Sequence, residues 1–357
     1  MPGITLNNNE VISALSNQIL SIQTYSDNIA EMYGGVLGIS KADAGMYGDK
    51  KVYIATNTLT STDWANDAEA ANLLALNRPA APDVQVITLN CFRKVFVTTD
   101  DYLSKRAFAD EGGFQQFNSV VLSWLVDTRR IYEATTFNAF IGTDVTATGS
   151  QSQTVALTTA PQTDTNPDKE SRAKLDTLII AEKVANVLDE LVDVSTKYND
   201  LGFTRSYSLD DLIIVWNAEW LNKLLKYGLP TVFHDDVLPK LTKYKLPARY
   251  FGSVNSSAKT ADANTKSLIE QVIGTAHYFA GDAVATGASC PAGTSYQVNP
   301  KVICKIMHKN SVPFLTAFTA NTEFFNPRSL TKTNYLIFGH NTLAHLKQYP
   351  MVTIATT

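Results

Sequence analysis

Charged side chains are scarce in this chain. Asp, Glu, Lys and Arg make up 18% of its 357 residues, where an ordinary globular domain carries about a quarter. The charges nearly cancel, 30 basic against 34 acidic for a net charge of −4. That balance argues against a dedicated nucleic-acid binder, which shows a basic face or stripe. Cysteine is equally sparse. Cys91, Cys290 and Cys304 are odd in number and lack metal-type spacing, so a disulfide framework is not expected and a reducing compartment is. No run reaches the eighteen or so apolar residues that a membrane span takes. The opening MPGITLNNNE has neither the basic start nor the apolar core of a secretion signal, which makes the cytoplasm the expected place of synthesis and use. No G-x-S-x-G marks a nucleophile elbow, and Gly34-Gly35 with Gly38 lacks the GK[ST] ending of a phosphate loop. No fixed-period repeat is visible.

What is present is a foldable chain. Hydrophobic residues reach 45%, and 357 residues are long enough for two domains or one elongated domain with a substantial core. Asn, Thr, Ser and Ala are abundant. A surface poor in charge and rich in small polar groups suits a chain that will touch other chains, although an ordinary neutral soluble protein fits the composition equally well.

The clearest local signal spans 111–143. Phe114, Phe117, Val121, Trp124, Thr128, Ile131 and Thr135 recur at alternating steps of three and four. That spacing predicts one stripe along a helix of about thirty residues, roughly 45 Å long. Asp127, Arg129, Arg130 and Glu133 lie off the stripe and are expected on a wet side, and Gly142 is expected to end the helix in a left-handed cap. Such a helix is a beam across a domain.

Before it, residues 9–33 carry a weak amphipathic pattern (Val11, Ile12, Leu15, Ile19, Ile22, Ile29) that breaks at Gly34-Gly35 and has too few apolar residues to fold alone. Residues 51–59 and 84–99 alternate like strands and are rich in β-branched and aromatic residues. The excursion of roughly twenty-five residues between them, with Trp64, Pro79 and Pro82, is long for a loop in a compact domain. A two-stranded arm reaching off the body accommodates both features. Beyond the beam, a second helix is expected over 169–198. Its narrow polar stripe of Glu182, Asn186, Asp189, Asp193 and Thr196 predicts burial on most sides. A buried strand over 209–216 and a helix over 217–227 follow. Strands are expected over 298–306, 311–319, 335–339 and 351–354, with a short helix over 341–347, and 230–293 gives mixed signals.

Little resembles chemistry. His234, Asp235 and Asp236 are the one cluster that could form a metal or acid–base group, but a turn with solvated acids is the expected reading. His340 and His345 are five apart and do not share a helix face as zinc ligands would, so core or interface histidines are expected. Cys91 sits mid-strand and reads as packed. Trp124, Trp216 and Trp220 fall on apolar faces and read as core, and Lys301, Lys305, His308 and Lys309 read as a solvated basic face. No catalytic, cofactor-binding or metal residue is assigned, and no cofactor is expected.

The order of elements is more telling. An N-terminal arm, a long β excursion, a beam helix ending in Phe140-Ile141-Gly142-Thr143, the segment LDDLIIVWNAEWLNKLLK and the C-terminal NYLIFGHNTLAHLKQYPMVTI follow one another. Together they resemble the major capsid proteins of tailed double-stranded DNA bacteriophages, which share the Hong Kong 97 fold. The resemblance implies an α+β, Hong Kong 97-like fold with 1–48 as the N-terminal arm and 49–104 as the extended β loop. Residues 105–170 would form the peripheral domain with its spine helix, 171–300 the axial domain, and 301–357 the strands returning to the peripheral domain. It further implies a non-enzymatic subunit that self-assembles into hexamers and pentamers of an icosahedral shell around double-stranded DNA. The implied partners are further copies of the chain, a scaffolding protein, a portal and decoration proteins, with non-specific contact to packaged DNA and no membrane. The implied location is the virion, with assembly in the host cytoplasm. An encapsulin-like nanocompartment shell and a cytoplasmic hydrolase using His234 with Asp235 or Asp236 are the alternatives.

Overall fold

The structure, a computed structural model, describes residues 35–43, 45–46, 48–61, 78–100, 111–142, 151–157, 169–227, 242–255 and 295–357. The first half holds α1 (Gly35–Ser40), β1 (Lys41–Asp43), β2 (Lys50–Ala55), β3 (Asp83–Asp100), α2 (Glu111–Gly142) and β4 (Ser152–Val155). Next come α3 (Lys169–Val192), β5 (Leu212–Asn217), α4 (Ala218–Tyr227), β6 (Thr242–Leu246), β7 (Gly252–Asn255) and β8 (Ser295–Val298). The chain closes with β9 (Val302–His308), β10 (Phe314–Thr316), β11 (Ala320–Asn326), β12 (Thr331–Asn341) and β13 (Met351–Thr356).

Two sheets carry the molecule. The first runs β1-β10-β12-β3-β2, with β11 also paired to β12. The second runs β4-β13-β9-β5-β6, and β7 with β8 forms a separate ribbon. In the second sheet β5 (LIIVWN) is buried along its whole length, as a strand covered on both faces must be. Ile213 and Val215 turn to one core cluster, which includes Phe137 and Ile141 of α2. Leu212, Ile214 and Trp216 turn to another, built with Ile180, Val184, Leu188 and Leu191 of α3 and Trp220 and Leu224 of α4. The second sheet is thus the middle layer between α2 and the α3–α4 pair.

The beam helix α2 spans 32 residues and ends at Gly142, as the spacing predicts. Its surroundings differ from the expected single stripe. Every residue from Tyr132 to Gly142 is buried, because here the helix is held between Phe314, Leu336 and Phe338 of the first sheet and Ile213, Met307 and Met351 of the second. Glu133, expected to be wet, is 3% exposed. It accepts from Lys41 Nζ and Arg129 Nε, both at 2.7 Å, and Arg129 also donates to Thr319 Oγ1 at 2.7 Å. Gly142 is not in the left-handed region; only Gly48 and Gly202 among the described glycines are. Its reason is space, since a Cβ there would lie 2.0 Å from the Tyr250 carbonyl oxygen.

Other expectations are corrected in the same physical terms. Helix α3 stops at Val192, not at 198, because Tyr207 N–H and the Ser206 hydroxyl take the Leu191 and Val192 carbonyls. It is an outer layer with one buried face, leaving Leu175 and Leu178 exposed beside Glu182, Asn186 and Asp189. Residues 342–347 are irregular and not a helix. Asn341 Oδ1 accepts from Leu315 N–H at 2.6 Å and Leu346 N–H donates to the Ser311 carbonyl at 2.8 Å, so neighbouring segments use the groups a helix would need. The supposed basic face at 301–309 is β9, a central strand in which Lys305 is fully buried and His308 nearly so.

Candidate assembly interface

Strands β2 and β3 form an antiparallel ribbon with Lys50 opposite Thr88 and Ala55 opposite Asp83. Successive side chains alternate faces, so Val52 faces Val86 and Ile54 faces Val84 on one side of it. All four are solvent-exposed, Val52 at 55% and Ile54 at 61%. The other side packs on the body, where Tyr53 and Ile87 meet Leu89, Leu315 and Leu346. An uncovered apolar face on a ribbon of this composition is the kind of surface that marks an interaction site.

The ribbon is fixed to the body by specific hydrogen bonds. The Gln85 amide donates to the His345 carbonyl at 2.8 Å and accepts from Lys347 N–H at 3.2 Å. Just past β2, Arg205 donates to the Thr56 carbonyl at 2.6 Å and Thr204 N–H to Asn57 Oδ1 at 3.0 Å. Beneath them Asp200 accepts from Gln151 and lies 3.7 Å from His345 Nδ1. These contacts, His345 first, hold the Asp200 carboxyl below its usual range. A surface pre-set in this way loses little freedom when a partner arrives.

Farther along, β3 leaves β2 and pairs with β12 from Leu89 to Asp100. There Val95, Phe96 and Val97 of β3 and Trp124, Leu125 and Ile131 of α2 line a groove of about 490 Å³. Trp124, expected in the core, is 43% exposed at its rim. Trp216 and Trp220 are core residues as expected. On the far edge of the same sheet β11 is exposed from Asn321 to Asn326. The described surface therefore offers an apolar ribbon face, an apolar groove and an open strand.

A family model decides what kind of protein presents these surfaces. The model of the Phi29-like phage major capsid proteins matches residues 5–355. The chain belongs to that family. Its fold is shared with solved phage structures. One is the capsid of Staphylococcus phage Andhra, at 13% identity and a TM-score of 0.60, over 89% of this chain and 82% of that one. Another is a structure of the head fiber and inner core protein gp22 of bacteriophage P68, at 14% identity and a TM-score of 0.58, over 89% and 83%. No curated protein sequence matches. The α+β, Hong Kong 97-like fold and the role of major capsid protein are thus established, and neither an encapsulin nor a hydrolase finds support.

The described histidines, His308, His340 and His345, are all buried. His234, Asp235 and Asp236 lie outside the described residues, as does Cys290. His340 is a core residue, 3.0 Å from Tyr132 Oη and stacked on Phe314 with centroids 5.1 Å apart. His345 Nε2 meets the Tyr349 carbonyl at 2.9 Å. Cys304 is enclosed, and burial pushes its thiol pKa up. Half-buried Cys91 lies 3.8 Å from Thr342 Oγ1. Among the described residues no group of His, Cys, Asp or Glu could hold a metal ion, and no described helix is long and apolar enough to cross a membrane. The groove and β11 were missed in the sequence. The only signal was the adjacent pair Phe324-Phe325, which breaks the alternation of a one-faced strand.

Proposed function

We propose that this capsid protein builds its shell as hexamers and pentamers of an icosahedral particle, in which the outer face of the β2–β3 ribbon is covered by a neighbouring copy. The observation that carries the reading is that face: Val52, Ile54, Val84 and Val86 exposed on a ribbon already latched in place. Fully burying a Val or Ile side chain is worth about 1.5–3 kcal/mol, so the four half-exposed ones supply roughly 1 kcal/mol each. That sum only matches the low end of the roughly 4–15 kcal/mol cost of joining two bodies. A lone pair of subunits therefore barely holds, and a ring in which every subunit gives and receives the contact holds collectively.

In this reading 1–48 is the arm, 49–104 the extended loop, 105–170 the peripheral domain, 171–300 the axial domain and 301–357 the return. Supporting it, β3 runs from the ribbon into the first sheet and pairs there with β12 of the return segment. The shell encloses double-stranded DNA with only non-specific contact to it, in keeping with the near-neutral balance of charge, −4 overall. It assembles in the host cytoplasm with a scaffolding protein and a portal, and decoration proteins bind outside. Ile54→Asp tests the ribbon contact. Sedimentation velocity should show a loss of rings and particles with an unchanged thermal melt, because Ile54 contributes little to the subunit's own core. Wild-type levels of assembly by Ile54→Asp would overturn the assignment of this face.

A further inference from the structure

We propose that β11 joins two copies of this chain by strand addition, pairing antiparallel with β11 of the second copy across a two-fold axis. The proposal rests on the shell reading and adds a contact distinct from the ribbon. Exposed edge strands are normally blunted by Lys, Pro, bulges or a covering segment. Ala320–Asn326 contains neither Lys nor Pro, and no described strand lies along its outer edge. Its one charge, Glu323, is held by Lys332 of its own hairpin at 3.2 Å.

The two aromatic residues decide the mode. Phe324 and Phe325 lie opposite Thr333 and Lys332, and as consecutive strand residues they project to opposite faces. Phe324 is 62% exposed and Phe325 46%. A helix laid on one face covers one of them, whereas a strand added in the plane of the sheet flanks both and also satisfies the open backbone groups. The sequence suits its own copy. With the axis at Phe324, aromatic meets aromatic and Glu323 meets Phe325. An axis at Glu323 would set two carboxylates face to face, so the register centres on Phe324 or between Phe324 and Phe325. An isologous contact also complements the ribbon, since head-to-tail contacts close rings and a second kind of contact is needed between rings. A seven-residue strand covers much less than the roughly 800 Å² per partner of a stable standalone interface, so this joint forms within particles and not between free subunits.

Single cysteines at 321, 323, 324 and 325 test it in assembled particles, with the native chain as background. Mild oxidation should give a disulfide-linked dimer for Phe324→Cys or an immediate neighbour and none above background for Asn321→Cys, which lies away from the axis. Normal particles without a dimer at 323–325, or a cross-link that maps from 324 to a site outside β11, would overturn the contact while leaving the shell intact. A native chain that forms no particles, either alone or with a co-expressed scaffold candidate, would instead sink the shell reading and this contact with it. All four positions are exposed, so loss of folding does not obscure the result.

Discussion

His308 closes β9 with its ring stacked on Tyr349, centroids 4.3 Å apart, and with Nδ1 accepting from Asn310 N–H at 3.1 Å. Burial pushes its pKa from 6.5 down to about 4, with Asp211 opposing and Lys309 assisting. The unfolded chain takes up this proton near pH 6.5 and the folded one only near 4. Stability is therefore full above about pH 6.5 and falls as the pH drops through that window, by up to about 3 kcal/mol. Urea midpoints of the unassembled subunit should be clearly lower at pH 4.5 than at pH 7, and His308→Gln should remove most of the difference. Equal slopes in both proteins would contradict the assignment. Asp200, whose carboxyl is held low, loses its contribution only below the ordinary carboxylate range, so the two effects separate. Glu133 gives a second residue-scale prediction. Glu133→Gln leaves Lys41 and Arg129 without their anion and should cost about 1–3 kcal/mol, against less than about 1 for Asp127→Asn, whose pair with Arg130 is long and more exposed. Nothing in the local sequence marked Glu133 as buried. Periodicity reports the covered face nearest in the chain, and here a second sheet arrives from residues 212–217 and 302–308.

At the level of elements, α2 was legible almost to the residue, because a long apolar period followed by a glycine is a local signal. The purpose of that glycine was not, since the Tyr250 backbone against Gly142 comes from a distant turn. Gly142→Ala should cost about 1–3 kcal/mol through overpacking, measured as a lower thermal midpoint. A gain in stability, as glycine-to-alanine substitution in an open helix would give, would refute the close-approach explanation. The strands of the ribbon were readable from alternation. The β11–β12 hairpin was not, because an edge strand exposed on both faces has no alternation to read. Leu330 at its tip has φ 54°, a left-handed conformation that costs a non-glycine residue about 1–2 kcal/mol. Leu330→Gly should accordingly stabilise the subunit by up to about 1 kcal/mol.

Across the described residues, an open strand, an apolar groove and an apolar ribbon face are distributed over the first sheet and α2, while β5, β9 and most of β13 in the second sheet are buried. One part of the chain is finished as a core and the other is left to be completed by neighbours. Scarce charge fits this division, since ions at such surfaces would have to be desolvated at every joint. The capsid resemblance was legible in element order, whereas the uncovered surfaces required the register of β2 on β3 and the packing of α2. Negative-stain electron microscopy of the purified native chain, alone and with a co-expressed scaffold candidate, tests self-assembly most directly. Closed shells, tubes or capsomer rings are the predicted result, and a uniform monomer with no larger species under either condition would contradict it.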